Sequence, residues 1–218
     1  LITTGKLDPS NIIHINTPKE FIEPLWCLIK FEDYIVLVIR GTWSFGDVIT
    51  DATATTKQVY NPPIPPMELL LSEKNGVRSV LPEKFRSITL EEVDDIKKRM
   101  KECPDDTPEE SFMNAARIVL KSKKSDQDIF EDYPQKIDEY YAHEGFIHAA
   151  SLVYYCSLPL IQKQQTMDPS KKLIVTGHSL GAGIAPLVGL YLRRQYPSVQ
   201  VFPFAPPASV SLKMSIDM

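Results

Sequence analysis

The stretch Lys172-Leu173-Ile174-Val175-Thr176-Gly177-His178-Ser179-Leu180-Gly181-Ala182-Gly183 decides the fold. Leu173 to Thr176 is a short, largely β-branched run without a charge, the pattern of a strand buried inside a sheet. From Leu180 onward the chain stays apolar for too long to be a strand, which predicts a helix over about 180–195. Between them Gly177-His178-Ser179-Leu180-Gly181 fits G-x-S-x-G, and a buried strand that turns directly into a helix through this pentamer has the form of a nucleophile elbow. The glycines have a physical reason. Such a turn holds the serine in a strained backbone conformation and brings strand and helix so close that a Cβ two positions to either side would collide. Ser179 would stand at the helix N-terminus, where the Leu180 N–H and the positive end of the dipole can receive an oxyanion. The plainer alternative is a glycine-rich loop at a strand end.

Working outward, Pro24 to Phe31 and Tyr34 to Arg40 are apolar, β-branched runs joined by Glu32-Asp33, which predicts a hairpin whose second strand is buried on both faces. Val199 to Phe204 is a further strand, and 145–158 a further helix. Alternation of strands and helices predicts an α/β fold with helices on both faces of the sheet. Val38-Ile39-Arg40-Gly41-Thr42 ends the second strand of the hairpin, where an α/β-hydrolase carries its second oxyanion donor. Thr42 can offer a backbone N–H and a hydroxyl there.

The 218 residues suit one well-buried domain. A net charge of −4 provides no basic footprint for nucleic acid. Cys27, Cys103 and Cys156 are too few and too scattered for a disulfide framework or a metal site, which fits a reducing compartment. Residues 67–142 hold 18 of the 28 acidic and 13 of the 24 basic residues. This middle is expected to be a charged, mostly helical insertion within a single domain spanning 1–218, too poor in apolar residues for a core of its own. It follows Asn61-Pro62-Pro63-Ile64-Pro65-Pro66 and carries two helix starts: Thr89 with Glu92, flanked by Ile88 and Val93, and Thr107-Pro108-Glu109-Glu110. Helices are predicted near 90–102 and 108–123. The 20 uncharged residues from Leu173 to Leu192 and the 18 from Gly145 to Gln162 have the length of membrane spans, but the glycines, prolines and histidines in them argue for buried soluble elements. A cytoplasmic or membrane-associated location is expected, with no leader visible.

Taken together, Arg40-Gly41-Thr42, then His143-Glu144-Gly145-Phe146, then Gly177 to Gly183 resemble, in order and context, the class 3 (fungal-lipase-like) lipases. The longer elbow and the strand exit Phe204-Ala205-Pro206-Pro207 are similar to the diacylglycerol lipase branch. Asp51 matches an acidic position of the family. The likeness covers roughly 8–60 and 143–210 and leaves 67–142 unmatched. It implies an α/β-hydrolase fold and a serine ester hydrolase acting on fatty acyl esters of glycerolipids, diacylglycerol above all. Ser179 would be the nucleophile, Thr42 and Leu180 the oxyanion hole, with no cofactor and no metal. The partners implied are a lipid substrate and peripheral membrane contact, with no nucleic acid. Trp43, Phe45, Val48 and Ile49 fall where the family has its lid, and they equally suit a core joint. A phospholipase A1 or other esterase shares these motifs, and a non-catalytic binding or regulatory protein could keep the fold.

Departures from the family pattern are specific. Hydrolases of this fold run Ser, then Asp or Glu, then His, yet no histidine follows Ser179 and the acid that does, Asp217, comes too soon after Phe204. The chain, opening at Leu1 without methionine, is therefore expected to be a fragment whose triad acid and histidine lie beyond residue 218. His178 neighbours Ser179, but side chains of adjacent residues in a sharp turn diverge. His143 suits a structural hydrogen bond, and His148 lies five residues on, off the shared helix face needed for a metal. His14 carries no signal. Pro186 should disturb the elbow helix, and Met67 to Leu71 suits either packing or a second apolar flap.

Overall fold

A computed structural model describes residues 7–17, 24–41, 56–72, 74–102, 108–120 and 135–217. Five strands form the main sheet: β1 (Ile12–Asn16), β2 (Trp26–Lys30), β3 (Tyr34–Ile39), β6 (Lys172–His178) and β7 (Gln200–Phe204), adjacent in that order. β2 and β3 are the expected hairpin, antiparallel with Trp26 opposite Ile39 and Lys30 opposite Ile35. From β3 the sheet continues parallel, Ile35 beside Leu173 and Ile39 beside Gly177, then Ile174 beside Gln200. A separate antiparallel ribbon, β4 (Thr56–Asn61) with β5 (Gln135–His143), has no counterpart among the sequence expectations.

The elbow helix α5 (Leu180–Arg193) packs on the face of the sheet carrying Ile35, Leu37, Ile39 and Val175, all buried. Strand residues alternate sides, so Val36, Val38, Ile174 and Thr176 point the other way. Those four are only half-buried. The burial of Tyr34–Arg40 on both faces is thus incomplete among the described residues, because α5 covers one face. Leu173 to Leu192, flagged by length as a span, is divided between β6 and α5. Among the described residues no helix is long and apolar enough to cross a membrane.

Helix α4 (Glu144–Met167) is longer than the predicted 145–158, and it lies against α5 on one side. Its other neighbour is the middle segment, here a 3₁₀ turn Lys74–Val80, then α1 (Glu83–Arg86), α2 (Leu90–Glu102) and α3 (Pro108–Leu120). The capping box at α2 is formed: the Thr89 N–H donates to Glu92 Oε2 at 2.8 Å and the Glu92 N–H to Thr89 Oγ1 at 3.2 Å. Ile88 and Val93 beside it are both buried. Thr107 lies outside the described residues.

The middle segment does not stand apart from the core. Leu69, Leu70, Val77, Leu81, Phe85, Ile96 and Phe112 are buried in the same apolar cluster as α4 and the sheet, with Phe85 stacked on Phe112 at 5.8 Å. Its few apolar side chains are concentrated on one face and add to an existing core, which a count over the whole segment conceals. Leu69 and Leu70 settle Met67 to Leu71 as packing, with Leu71 the one exposed apolar side chain of that stretch.

A candidate active site at the strand–helix elbow

Ser179 occupies the junction of β6 and α5 with φ 55° and ψ −121°, a conformation that L residues avoid and that costs on the order of 1–3 kcal/mol. Close packing enforces it. A Cβ on Gly177 would overlap the backbone of Gly181, and one on Gly181 would overlap the Ile39 carbonyl at the end of β3. Gly41 completes the contact: a Cβ there would stand 2.8 Å from the His178 carbonyl oxygen and 3.4 Å from Ser179 Cβ. Each glycine of the pentamer therefore permits a backbone approach, and the sequence reason for them is met in space.

The helix begins at Ser179 without using the serine as a cap, since its side chain makes no capping hydrogen bond. Its carbonyl accepts from Ala182 at 2.9 Å and from Gly183 at 3.2 Å. The N–H groups of Leu180 and Gly181 come ahead of these first bonds, where the partial positive charge of the helix end is concentrated. Gly41 lies beside them, its would-be Cβ 3.7 Å from the Leu180 nitrogen. Thr42 lies outside the described residues, as do Trp43, Phe45, Val48, Ile49 and Asp51.

Each histidine has a distinct setting. His143 caps α4, its Nδ1 accepting from the Gly145 N–H at 3.1 Å, and its ring meets Phe146 edge-on at 5.6 Å. His148 Nε2 lies 3.0 Å from Glu68 Oε1. His14 lies against Trp26 at 5.2 Å. His178 is exposed at the end of β6. Asp217, in the short helix α6 (Leu212–Asp217), accepts from the Tyr140 hydroxyl at 2.8 Å and pairs with Lys213 Nζ at 3.1 Å. These two partners, Tyr140 first, hold its carboxyl below the ordinary range. Among the described residues no group of three or more His, Cys, Asp or Glu could hold a metal ion.

Two connections missed at the sequence level brace the elbow from outside. The Phe146 ring lies where a Cβ on Gly183 would fall, and Ser209 Oγ donates to the Gly183 carbonyl at 3.2 Å. Both come from segments flanking the site in sequence, and no local pattern announces the contacts. His143 joins them, its N–H donating to the Ser209 carbonyl at 3.0 Å.

Comparison with known proteins bears on this geometry. The family model described as lipase (class 3) matches residues 93–217. The match begins at Val93, inside the 67–142 segment that the motif likeness leaves uncovered. Diacylglycerol lipase-beta of Mus musculus is 34% identical over 74 residues, 33% of this chain and 11% of that protein. A lipase of Rhizopus niveus is 38% identical over 68 residues, 31% of this chain and 17% of its own length. Among solved structures, lipase II from Rhizopus niveus superposes with a TM-score of 0.53 at 19% identity, covering 94% of this chain and 52% of that one. The chain thus spans about half the length of the fungal lipase chains and a small part of diacylglycerol lipase-beta. The neighbours share the α/β-hydrolase fold. With a family model matched across more than half of its residues on that fold, the chain belongs to the class 3 lipases.

Proposed function

We propose that the protein is a serine ester hydrolase that cleaves fatty acyl esters of glycerolipids, with diacylglycerol as the preferred substrate and Ser179 as nucleophile. The observation that carries this reading is Ser179 itself, held at φ 55° at the head of α5 with its hydroxyl withheld from helix capping. Ser179 Oγ attacks the acyl carbonyl while a general base takes its proton, and the carbonyl oxygen becomes an oxyanion. The Leu180 N–H and Thr42 receive that charge, each such donor being worth about 10²–10³ in rate. Collapse expels the glyceride alcohol, and water then hydrolyses the acyl-enzyme. The base is a histidine oriented by an acid. His143 and His148 are engaged with Gly145 and Glu68, so the reading assigns base and acid to a part of the protein outside these 218 residues. Diacylglycerol is favoured by the likeness to diacylglycerol lipase-beta and, at 50% identity over 38 residues, to diacylglycerol lipase-alpha of Homo sapiens.

A lipid substrate implies peripheral contact with a lipid surface, and the reading needs neither cofactor nor metal. The test is a fluorophosphonate probe and a diacylglycerol hydrolysis assay on the longest form of the protein that can be expressed. Labelling and hydrolysis should both vanish in Ser179→Ala. Hydrolysis that survives this change would overturn the reading. Wild-type protein that folds but neither labels nor hydrolyses would favour a non-catalytic role, and preference for phospholipid would favour a phospholipase A1.

A further inference from the structure

The first turn of α5 is poorly provided for by its own sequence. Gly181 and Gly183 are weak helix formers, and Pro186 has no N–H to return to the Ala182 carbonyl four residues earlier. Three of the seven residues from Leu180 to Pro186 therefore work against a helix. Yet this turn carries the Leu180 N–H, which in the proposed hydrolysis must meet a developing oxyanion.

The turn is held from outside. Ser209 is 5% exposed, and its hydroxyl donates to the Gly183 carbonyl at 3.2 Å. Burying a hydroxyl is costly unless it is bonded, and Gly183 is the partner that offsets the cost. A carbonyl has two lone pairs, so the hydroxyl can bind there without displacing a helical donor. Gly183 in turn donates its N–H to the Ser179 carbonyl at 3.2 Å. One residue thus separates the Ser209 hydroxyl from the backbone of the nucleophile. Ser209 is itself fixed: its carbonyl accepts from the His143 N–H at 3.0 Å, Val210 bridges to Ala142, and the Ser211 N–H donates to the Tyr141 carbonyl at 2.7 Å. The brace is anchored on the backbone of β5 at one end and grips the backbone of α5 at the other.

We propose that Ser209 is a positioning residue for the hydrolase, its bond to the Gly183 carbonyl fixing the first turn of α5 so that the Leu180 N–H points at the forming oxyanion. This rests on Ser179 as nucleophile and Leu180 as oxyanion donor. Ser209 acts through Gly183 and contacts no reacting atom. Without the bond the turn samples orientations in which the Leu180 N–H is misaligned. Hydrogen bonds weaken steeply as they bend, and a misplacement of about 1 Å can cost about 10²-fold in rate. The donor is used at full strength only in the transition state, so the loss falls on kcat and spares KM.

The experiment measures hydrolysis of p-nitrophenyl butyrate and the rate of fluorophosphonate labelling in the longest form of the protein that can be expressed, with urea midpoints alongside. Ser209→Ala should lower kcat about tenfold, leave KM within about twofold, and slow labelling by a similar factor. Ser209→Thr keeps the donor and should stay within about twofold of wild type; if its added methyl prevents folding, Ser209→Cys, a weaker donor, should fall between alanine and wild type. Thr89→Ala, which loses a hydrogen bond at the α2 cap, is the stability control and should keep wild-type kcat. Wild type that neither labels nor hydrolyses, or activity that survives Ser179→Ala, overturns the assignment of the nucleophile and this proposal with it. With Ser179→Ala inactive, the proposal alone is overturned by wild-type kcat in Ser209→Ala, by a loss confined to KM, by an equal loss in Thr89→Ala, or by no recovery in the folded hydroxyl or thiol variant.

Discussion

The Ser179 N–H donates to the Phe204 carbonyl at 3.0 Å, so the elbow is tied to the last residue of β7 as well as to its own strand. Beyond Phe204 the chain turns at Ala205, which has φ 51°. Two left-handed residues, 179 and 205, thus face each other across the ends of neighbouring parallel strands. The bond uses a backbone donor that an ordinary helix start would leave to water. It helps to hold Ser179 in a conformation that the residue would otherwise leave.

Gly181 is the position where the tight packing can be tested. In a helix interior alanine is favoured over glycine by about 1 kcal/mol, but here the new Cβ would overlap the Ile39 carbonyl oxygen and approach Arg40 C at 3.0 Å. Backbone cannot step aside as a side chain can, so Gly181→Ala should lose about 1–3 kcal/mol net. Gly145→Ala is the control, since its Cβ would meet only the His143 ring at 3.4 Å. Urea midpoints should fall for the first and stay within about 0.5 kcal/mol of wild type for the second. Equal midpoints would contradict the packing.

How much of the molecule is legible in its sequence depends on how local the cause is. The elbow, the β2–β3 hairpin and the Thr89–Glu92 cap are written in adjacent residues, so composition and spacing suffice. The β4–β5 ribbon is not legible: its partners are between 74 and 87 positions apart, Asn61 opposite Gln135 and Thr56 opposite His143, and Gln135 to His143 mixes charges with aromatics without alternation. The burial of Leu69, Leu70 and Phe85 is also hidden, because the charged residues around them dominate the average. Pro186 is expected from sequence to disturb the elbow helix, yet α5 runs through it to Arg193. The residue is fully enclosed by core, whose packing outweighs one lost hydrogen bond.

Tyr155 offers a test of how the proline-rich run is held. Its buried hydroxyl donates to the Pro63 carbonyl at 2.6 Å, joining α4 to a segment that has few backbone donors of its own. Tyr155→Phe preserves the ring and strands the carbonyl, which should cost about 1–3 kcal/mol. Thermal unfolding would register this as a lower midpoint. An unchanged midpoint would mean that water replaces the hydroxyl at no cost.

The cap at α2 predicts a smaller effect. Thr89→Ala removes the oxygen that accepts from Glu92 N–H and should destabilise by about 1 kcal/mol, while Thr89→Ser should restore most of it. If the middle segment shares the core, as Ile88, Val93 and Ile96 indicate, the loss will appear in the main unfolding transition. A separate early transition would show instead that α2 unfolds alone.

The Glu68–His148 pair predicts a pH dependence whose sign follows from the direction of the Glu68 shift. The His148 hydrogen bond lowers the Glu68 carboxyl from its ordinary 4.5, against a smaller upward push from burial. A carboxyl depressed in the folded state binds its proton more readily when unfolded. Its contribution to stability is therefore full above about pH 4.5 and disappears as pH falls through the lower, folded value. Both side chains are near half exposed, 40% for His148 and 51% for Glu68, so solvent screens the pair and its worth stays under about 1 kcal/mol. Glu68→Gln keeps the shape and a hydrogen-bonding end but removes the titration. Urea unfolding between about pH 3 and 7 should show wild type more stable than Glu68→Gln at about pH 6–7, with the two curves converging toward about pH 3. A difference that persists unchanged at the acid end would mean that the pair acts by packing alone.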